Sequence, residues 1–158
     1  MMRAVALVAM IAAAAGAATG AAALEVAQVV GPARVALPLG KPQQVAIDVA
    51  VKPGYHVQAN PAAYPNLIPT RLTLLPVPGI AVGPPRYPSA KRMRLEGSGE
   101  QLLVYDGSFR IVVPMARYAP SVAPIRLEGS LRYQGCDDRR CLFPQTIPVV
   151  LTVEADGP

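Results

Sequence analysis

The sequence predicts an all-β domain folded as a two-sheet antiparallel sandwich, and three observations lead there. Proline is abundant, with 18 in 158 residues, about twice the usual ~5% share. Each interior proline would cost a helix about 3 kcal/mol, which excludes a helical bundle. Apolar residues recur at every second position in several runs, the period of a half-buried strand. Turn-forming Pro/Gly and Asp-Gly pairs separate those runs. Composition is 52% hydrophobic and 16% charged, too apolar for a disordered chain, and the length suits one domain.

The elements follow in order. Residues 1–23 read as a secretory signal peptide: Arg3 supplies a positive start, Ala4 to Ala15 an apolar stretch, and Ala21-Ala22-Ala23 the small residues of a cleavage site. That stretch is shorter than the ~20 residues of a membrane span, so the expected product is a cleaved, secreted domain over 24–158 with no stable membrane insertion. Ala33–Leu37 is a short strand candidate. In Gln43–Lys52, Val45, Ile47, Val49 and Val51 share one face. Asn60 to Pro69 holds three prolines and is expected to wander over the surface. Arg71–Leu75 aligns Leu72 with Leu74. Gly83 to Gly99 is irregular, and a loop that long in a small domain is usually functional. Ser108–Pro114 aligns Phe109, Ile111 and Val113; Ile125–Tyr133 aligns Ile125, Leu127, Leu131 and Tyr133; Thr146–Val153 aligns Ile147, Val149, Leu151 and Val153. Six to nine short strands result, and their one-sided faces are buried by stacking two sheets. No helical period follows the leader.

The formal charge of +5 is mild and spread out. Its one cluster, Lys91-Arg92-Met93-Arg94, lacks interleaved aromatics and reads as a solvated loop, not a nucleic-acid site. The chemistry concentrates in Cys136-Asp137-Asp138-Arg139-Arg140-Cys141, which holds both cysteines. A ring so short stabilises a fold by only about 2 kcal/mol and cannot join two sheets across a long sequence separation. A reversible redox pair is the sharper reading; a local loop staple and a metal site are the alternatives. Thiolate is the attacking species and nearby cations lower a thiol's pKa. Arg139 and Arg140 precede Cys141, so it is the expected nucleophile unless the opposed charges of the loop pair with each other. The apolar step Leu142-Phe143-Pro144 offers a docking surface. Zinc needs more ligands than are clustered here. His56, the lone histidine, reads as an ordinary strand or turn residue. A copper site drawing on the cysteines, His56 and Met93 or Met115 has no Met-rich or His-rich cluster behind it.

The block Tyr133-Gln134-Gly135-Cys136 through Cys141-Leu142-Phe143-Pro144 resembles the active-site hairpin of the N-terminal domain of DsbD, the bacterial thiol:disulfide interchange protein. Lys52-Pro53-Gly54-Tyr55-His56-Val57, Leu67-Ile68-Pro69-Thr70 and Val104-Tyr105-Asp106-Gly107 resemble that domain in order and spacing. The resemblance runs from about Ala33 to Val153. It implies an immunoglobulin-like sandwich in the periplasm, a monomer without metal or cofactor, passing electrons from a thioredoxin-like donor to oxidised client proteins, with cytochrome c maturation among the family's processes. By motif, Cys141 matches the attacking cysteine and Cys136 the resolving one. The family shields the pair with a cap loop, for which Gly83–Gly99 is the positional match and Tyr87 the covering ring. Tyr105, Gln134, Asp137, Asp138, Arg139, Arg140 and Phe143 complete the expected cap or partner-docking set. Full-length DsbD adds a membrane electron-transfer domain and a thioredoxin-like domain, so the expected reductant here is a separate protein. The competing expectations are a non-catalytic binding or assembly module with a structural disulfide, and a copper carrier.

Overall fold

Alternation becomes structure wherever the runs are long. The computed structural model describes residues 24–154; the leader expected over 1–23 lies outside them. Twelve strands and no helix are found among the described residues: β1 (Ala27–Gly31), β2 (Arg34–Val35), β3 (Gln43–Val51), β4 (His56–Gln58), β5 (Arg71–Leu74), β6 (Ile80–Val82), β7 (Lys91–Arg94), β8 (Gln101–Tyr105), β9 (Ser108–Arg117), β10 (Ile125–Tyr133), β11 (Gly135–Cys136) and β12 (Gln145–Val153). They form three four-stranded sheets, ordered β1-β3-β9-β6, β2-β12-β10-β5 and β11-β4-β8-β7. Pairing is antiparallel except between β2 and β12.

The first two sheets make the expected sandwich. In register, Val45 meets Val113 and Ile47 meets Ile111 across β3 and β9. Their inner faces join one buried cluster with Leu127 and Leu131 of β10 and Ile147, Val149 and Leu151 of β12. Antiparallel sheets stacked on a shared apolar core are the immunoglobulin-like arrangement. The third sheet is an addition to the two expected. Its strands have two to five residues each, too few for a period to be read. Val57 and Tyr105 turn into the main core, so by alternation His56, Gln58, Val104 and Leu102 occupy the opposite face, where they too are buried.

Two boundaries differ from expectation for stated reasons. β9 runs past Pro114 to Arg117. The Pro114 carbonyl accepts from the Gly83 amide, just beyond the end of β6, so the absent N–H faces a side where strand pairing has stopped. The Gly83–Gly99 stretch is not one loop. Arg86 exchanges both backbone hydrogen bonds with Val112, and Lys91–Arg94 is an edge strand paired with β8. Charged residues are what an edge strand carries to resist pairing with another chain, which is why this run reads as loop in the sequence.

Candidate functional site

Cys136 and Cys141 are joined by a disulfide. Gly135 places β11 against the sandwich: a β-carbon there would lie 2.3 Å from Cγ2 of Val26, so only glycine fits. The chain then turns tightly. The Asp137 amide donates to the Arg140 carbonyl (3.0 Å) and the Leu142 amide to the Gly135 carbonyl (2.7 Å). The Asp137 carboxylate accepts from the Arg139 and Arg140 amides at 2.9 and 2.8 Å. Those two amides hold its pKa below the ordinary 3.8. Cys136 is fully buried while Cys141 is partly exposed. One sulfur is therefore sealed and the other reachable.

Strand β4 supplies the floor under the sulfurs. Its buried Gln58 donates through Nε2 to Cys136 Sγ at 3.2 Å and to Cys141 Sγ at 3.6 Å. The backbone of Gln58 is fixed on both sides. Its amide donates to the Gln134 carbonyl (3.0 Å), and its carbonyl accepts from the Thr70 amide (3.1 Å) and the Thr70 hydroxyl (2.6 Å). His56 is the register partner of Cys136 and is only 5% exposed. Burial lowers its pKa below 6.5, against the opposing pull of Asp137, Asp106 and Asp138. An amide N–H aimed at sulfur stabilises thiolate more than disulfide, because hydrogen bonds to a charged acceptor are roughly twice as strong. Sequence reasoning missed Gln58. Its sole trace was its parity with His56, which means nothing until β4 is known to lie beside β11.

The residues expected to cap or dock fall into separate groups. The tip of the β7–β8 hairpin leans on the cysteine turn: the Glu96 amide donates to the Asp138 carbonyl at 2.9 Å and the Glu96 carboxylate faces Arg139 at 4.0 Å. Arg140 faces the Asp137 carboxylate at 3.7 Å. Both arginines thus have carboxylate neighbours, and exposure, more than cationic surroundings, distinguishes Cys141. Gln134 braces the turn, accepting from the Ile68 amide (2.9 Å) and donating to the Leu142 carbonyl (3.2 Å). The Tyr87 hydroxyl accepts from the Leu72 amide at 2.9 Å. Tyr105 is buried, its hydroxyl accepting from the Asn60 amide at 3.0 Å and its ring 4.6 Å from that of Phe109. Phe143 is 92% exposed, two residues beyond the reachable sulfur.

A cleft of about 600 Å³ is lined by His56 together with, among others, Pro53, Lys91, Met93 and Asp106. Among the described residues no group of three or more His, Cys, Asp or Glu side chains is placed to hold a metal ion, and no helix is long and apolar enough to cross a membrane.

Comparison with known proteins gives a family match over residues 23–152, to "Thiol:disulfide interchange protein DsbD, N-terminal". A search of curated proteins finds no match. Similar solved structures include the reduced DsbD N-terminal domain of Neisseria meningitidis, with 19% identity, a TM-score of 0.44, and coverage of 72% of this chain and 78% of that one. Another is the N-terminal periplasmic domain of ScsB from Proteus mirabilis, with 13% identity, a TM-score of 0.46, and coverage of 81% of this chain and 44% of that one.

Proposed function

Because the chain belongs to the DsbD N-terminal domain family, we propose that it is a periplasmic electron relay, taking reducing equivalents from a thioredoxin-like donor and passing them to oxidised client proteins. The observation that carries this reading is the asymmetry of the disulfide, with Cys136 sealed over the Gln58 amide and Cys141 at the surface. A donor thiolate attacks Cys141 Sγ, Cys136 leaves, and a second donor thiol releases the reduced domain. Cys141 thiolate then attacks a client disulfide. Cys136 resolves the mixed disulfide, restoring the bridge and freeing the reduced client. The sulfur pair carries both electrons, so the cycle requires no metal or organic cofactor.

Three features support the partner side. Phe143 offers an exposed aromatic anchor beside the reactive sulfur, as transient interfaces favour. The hairpin tip at Glu96 is held to the cysteine turn by one backbone bond and one long, exposed ion pair. Such a pair contributes little, so the tip can act as a cap that a docking partner displaces. The apolar leader read in residues 1–23 is consistent with export to the periplasm.

The test is the reduction potential of Cys136–Cys141, by equilibration with thiol redox buffers. A value of roughly −120 to −270 mV, the range of known exchangers, is expected. A value well below about −300 mV would mark a resistant structural bridge and return the domain to the class of binding modules. Given the first outcome, Cys136→Ala should trap clients as mixed disulfides on Cys141.

A further inference from the structure

Exchange at the surface sulfur leaves a proton problem at the buried one. When a donor attacks Cys141, Cys136 departs as a thiolate inside the protein. When a client is resolved, the Cys136 thiol must lose its proton before it attacks. Burial raises a thiol's pKa, and Cys136 is fully buried, away from bulk water. A titratable partner inside the fold is needed, and the groups nearest the sulfurs do not provide one. The Gln58 amide donates hydrogen bonds but does not titrate. The Asp137 carboxylate is already engaged by two backbone amides and is held ionised.

We propose that His56 carries the proton of Cys136, acting as base when Cys136 resolves a mixed disulfide and as acid when Cys136 is the leaving group. His56 and Cys136 are direct register partners on adjacent antiparallel strands, so their side chains rise from the same face with β-carbons about 5 Å apart. The imidazole is buried, and its Nε2 has no hydrogen-bond partner. His56 also lines the 600 Å³ cleft, and Cys136 does not, so the histidine has an exchange route to solvent that the sulfur lacks. The register Val57–Tyr105 between β4 and β8, continued by one residue, sets Asp106 beside His56. Cysteine, histidine and aspartate then follow one another from β11 through β4 to the residue just after β8, the order of a nucleophile, an imidazole that activates it and a carboxylate that orients the imidazole.

The groups facing the ring are mixed in sign. Asp106 comes from the turn just after β8 and is paired with Lys91 of β7. Lys52 and Tyr55 come from the turn before β4 and line the same cleft, and Asp137 and Asp138 come from the cysteine turn. Burial outweighs the carboxylates, so the ring is neutral near neutral pH and able to accept a proton. In resolution, the Cys136 proton passes to the imidazole and Cys136 Sγ attacks Cys141 Sγ. The Cys141–client bond breaks, and the client leaves as a thiolate that takes a proton from water. Two electrons move to the client and the protein dithiol becomes the disulfide. The imidazolium then releases this proton to solvent, and in reduction the ring takes up a solvent proton and passes it to the departing Cys136 sulfur.

This role rests on the relay reading, and one experiment separates the two. The reduced protein is mixed with dithiodipyridine, and thiopyridone release is followed from pH 5 to 9. The first equivalent reports attack by Cys141, the second resolution by Cys136. For His56→Gln the second phase should slow by about 10²-fold, the lower end of general acid–base contributions, and lose its imidazole-dependent pH step, with the first phase unchanged. A second phase of unchanged rate and pH profile, or equal slowing of both phases, would overturn the proposal. Absence of a first phase in the unaltered protein would instead sink the relay reading, and this role with it. Asp106→Asn covers a His56 variant that fails to fold: it should move the midpoint of the second phase to lower pH, and an unmoved midpoint refutes the proposal.

Discussion

A primary amide held against two sulfurs does little for a disulfide, whose sulfurs are weak acceptors, and more for the thiolate that forms on reduction. Gln58 is so held by its backbone bonds to Gln134 and Thr70, while its own Oε1 is buried without a partner. Gln58→Leu removes a useful donor and an orphaned acceptor together. Charge-assisted bonds of about 1.5–3 kcal/mol correspond to roughly one to two pH units. The variant's reactive thiol should therefore ionise about that much higher, read from the pH dependence of alkylation, and its potential should become more negative. Thermal stability should hold or rise, since one buried unsatisfied group has gone; a large loss of stability with unchanged thiol titration would contradict this account. His56 makes a different prediction. Burial sets its folded pKa below 6.5, so the unfolded chain binds that proton more readily than the folded one. Its contribution is complete above pH 6.5 and declines as pH falls through 6.5 toward the lowered folded value. Melts from pH 8 to 5 should show a decline that His56→Gln flattens. Asp137, held below 3.8 by backbone amides, adds a second decline only at lower pH.

Strands of nine or ten residues announce themselves through alternation, and the sandwich was legible for that reason: Val45, Ile47 and Val49 on β3, or Ile147, Val149 and Leu151 on β12, point one way in the sequence and one way in the core. The third sheet was not legible. Gly135–Cys136 is two residues and His56–Gln58 three, buried throughout, and Lys91–Arg94 carries the polarity of its edge position. The cysteine pair was visible because its spacing is local, whereas Gln58 becomes a site residue only through a pairing 78 residues distant. This sheet depends on how closely β11 approaches Val26, which makes Gly135 the sensitive position. Gly135→Ala puts a methyl group into the stiff, fully buried Val26 side chain. Overpacking of this kind costs about 1–3 kcal/mol. Chemical denaturation should show that loss, and the displaced β11 should weaken the Gln58–Cys136 contact and make the potential more negative. A Gly135→Ala protein with wild-type midpoint and potential would show that β11 is not seated as described.

A relay must survive the loss of its own disulfide once per cycle, and the architecture separates the two requirements. The main core lies between β3 and β9 on one side and β10 and β12 on the other, while the bridge sits on the outer face of the third sheet. The bridge closes a loop with a sequence separation of 5, for which the chain-entropy estimate is about 2 kcal/mol. A domain stability of about 5–15 kcal/mol leaves the reduced protein folded. The cysteine turn keeps restraints that do not involve sulfur: the Asp137 carboxylate on two amides, Leu142 on Gly135 and the Gln134 side chain on Leu142. The dithiol should thus stay positioned over Gln58, ready to close again. Thermal melts of the oxidised protein, the reduced protein and the Cys136→Ala/Cys141→Ala double variant test this. The last two should unfold cooperatively at similar temperatures, about 5–10 °C below the oxidised form, the shift that ~2 kcal/mol produces in a domain of this size. Loss of cooperative folding on reduction at 25 °C would make the bridge a structural staple, and a protein that unfolds each time it donates electrons does not serve as a relay.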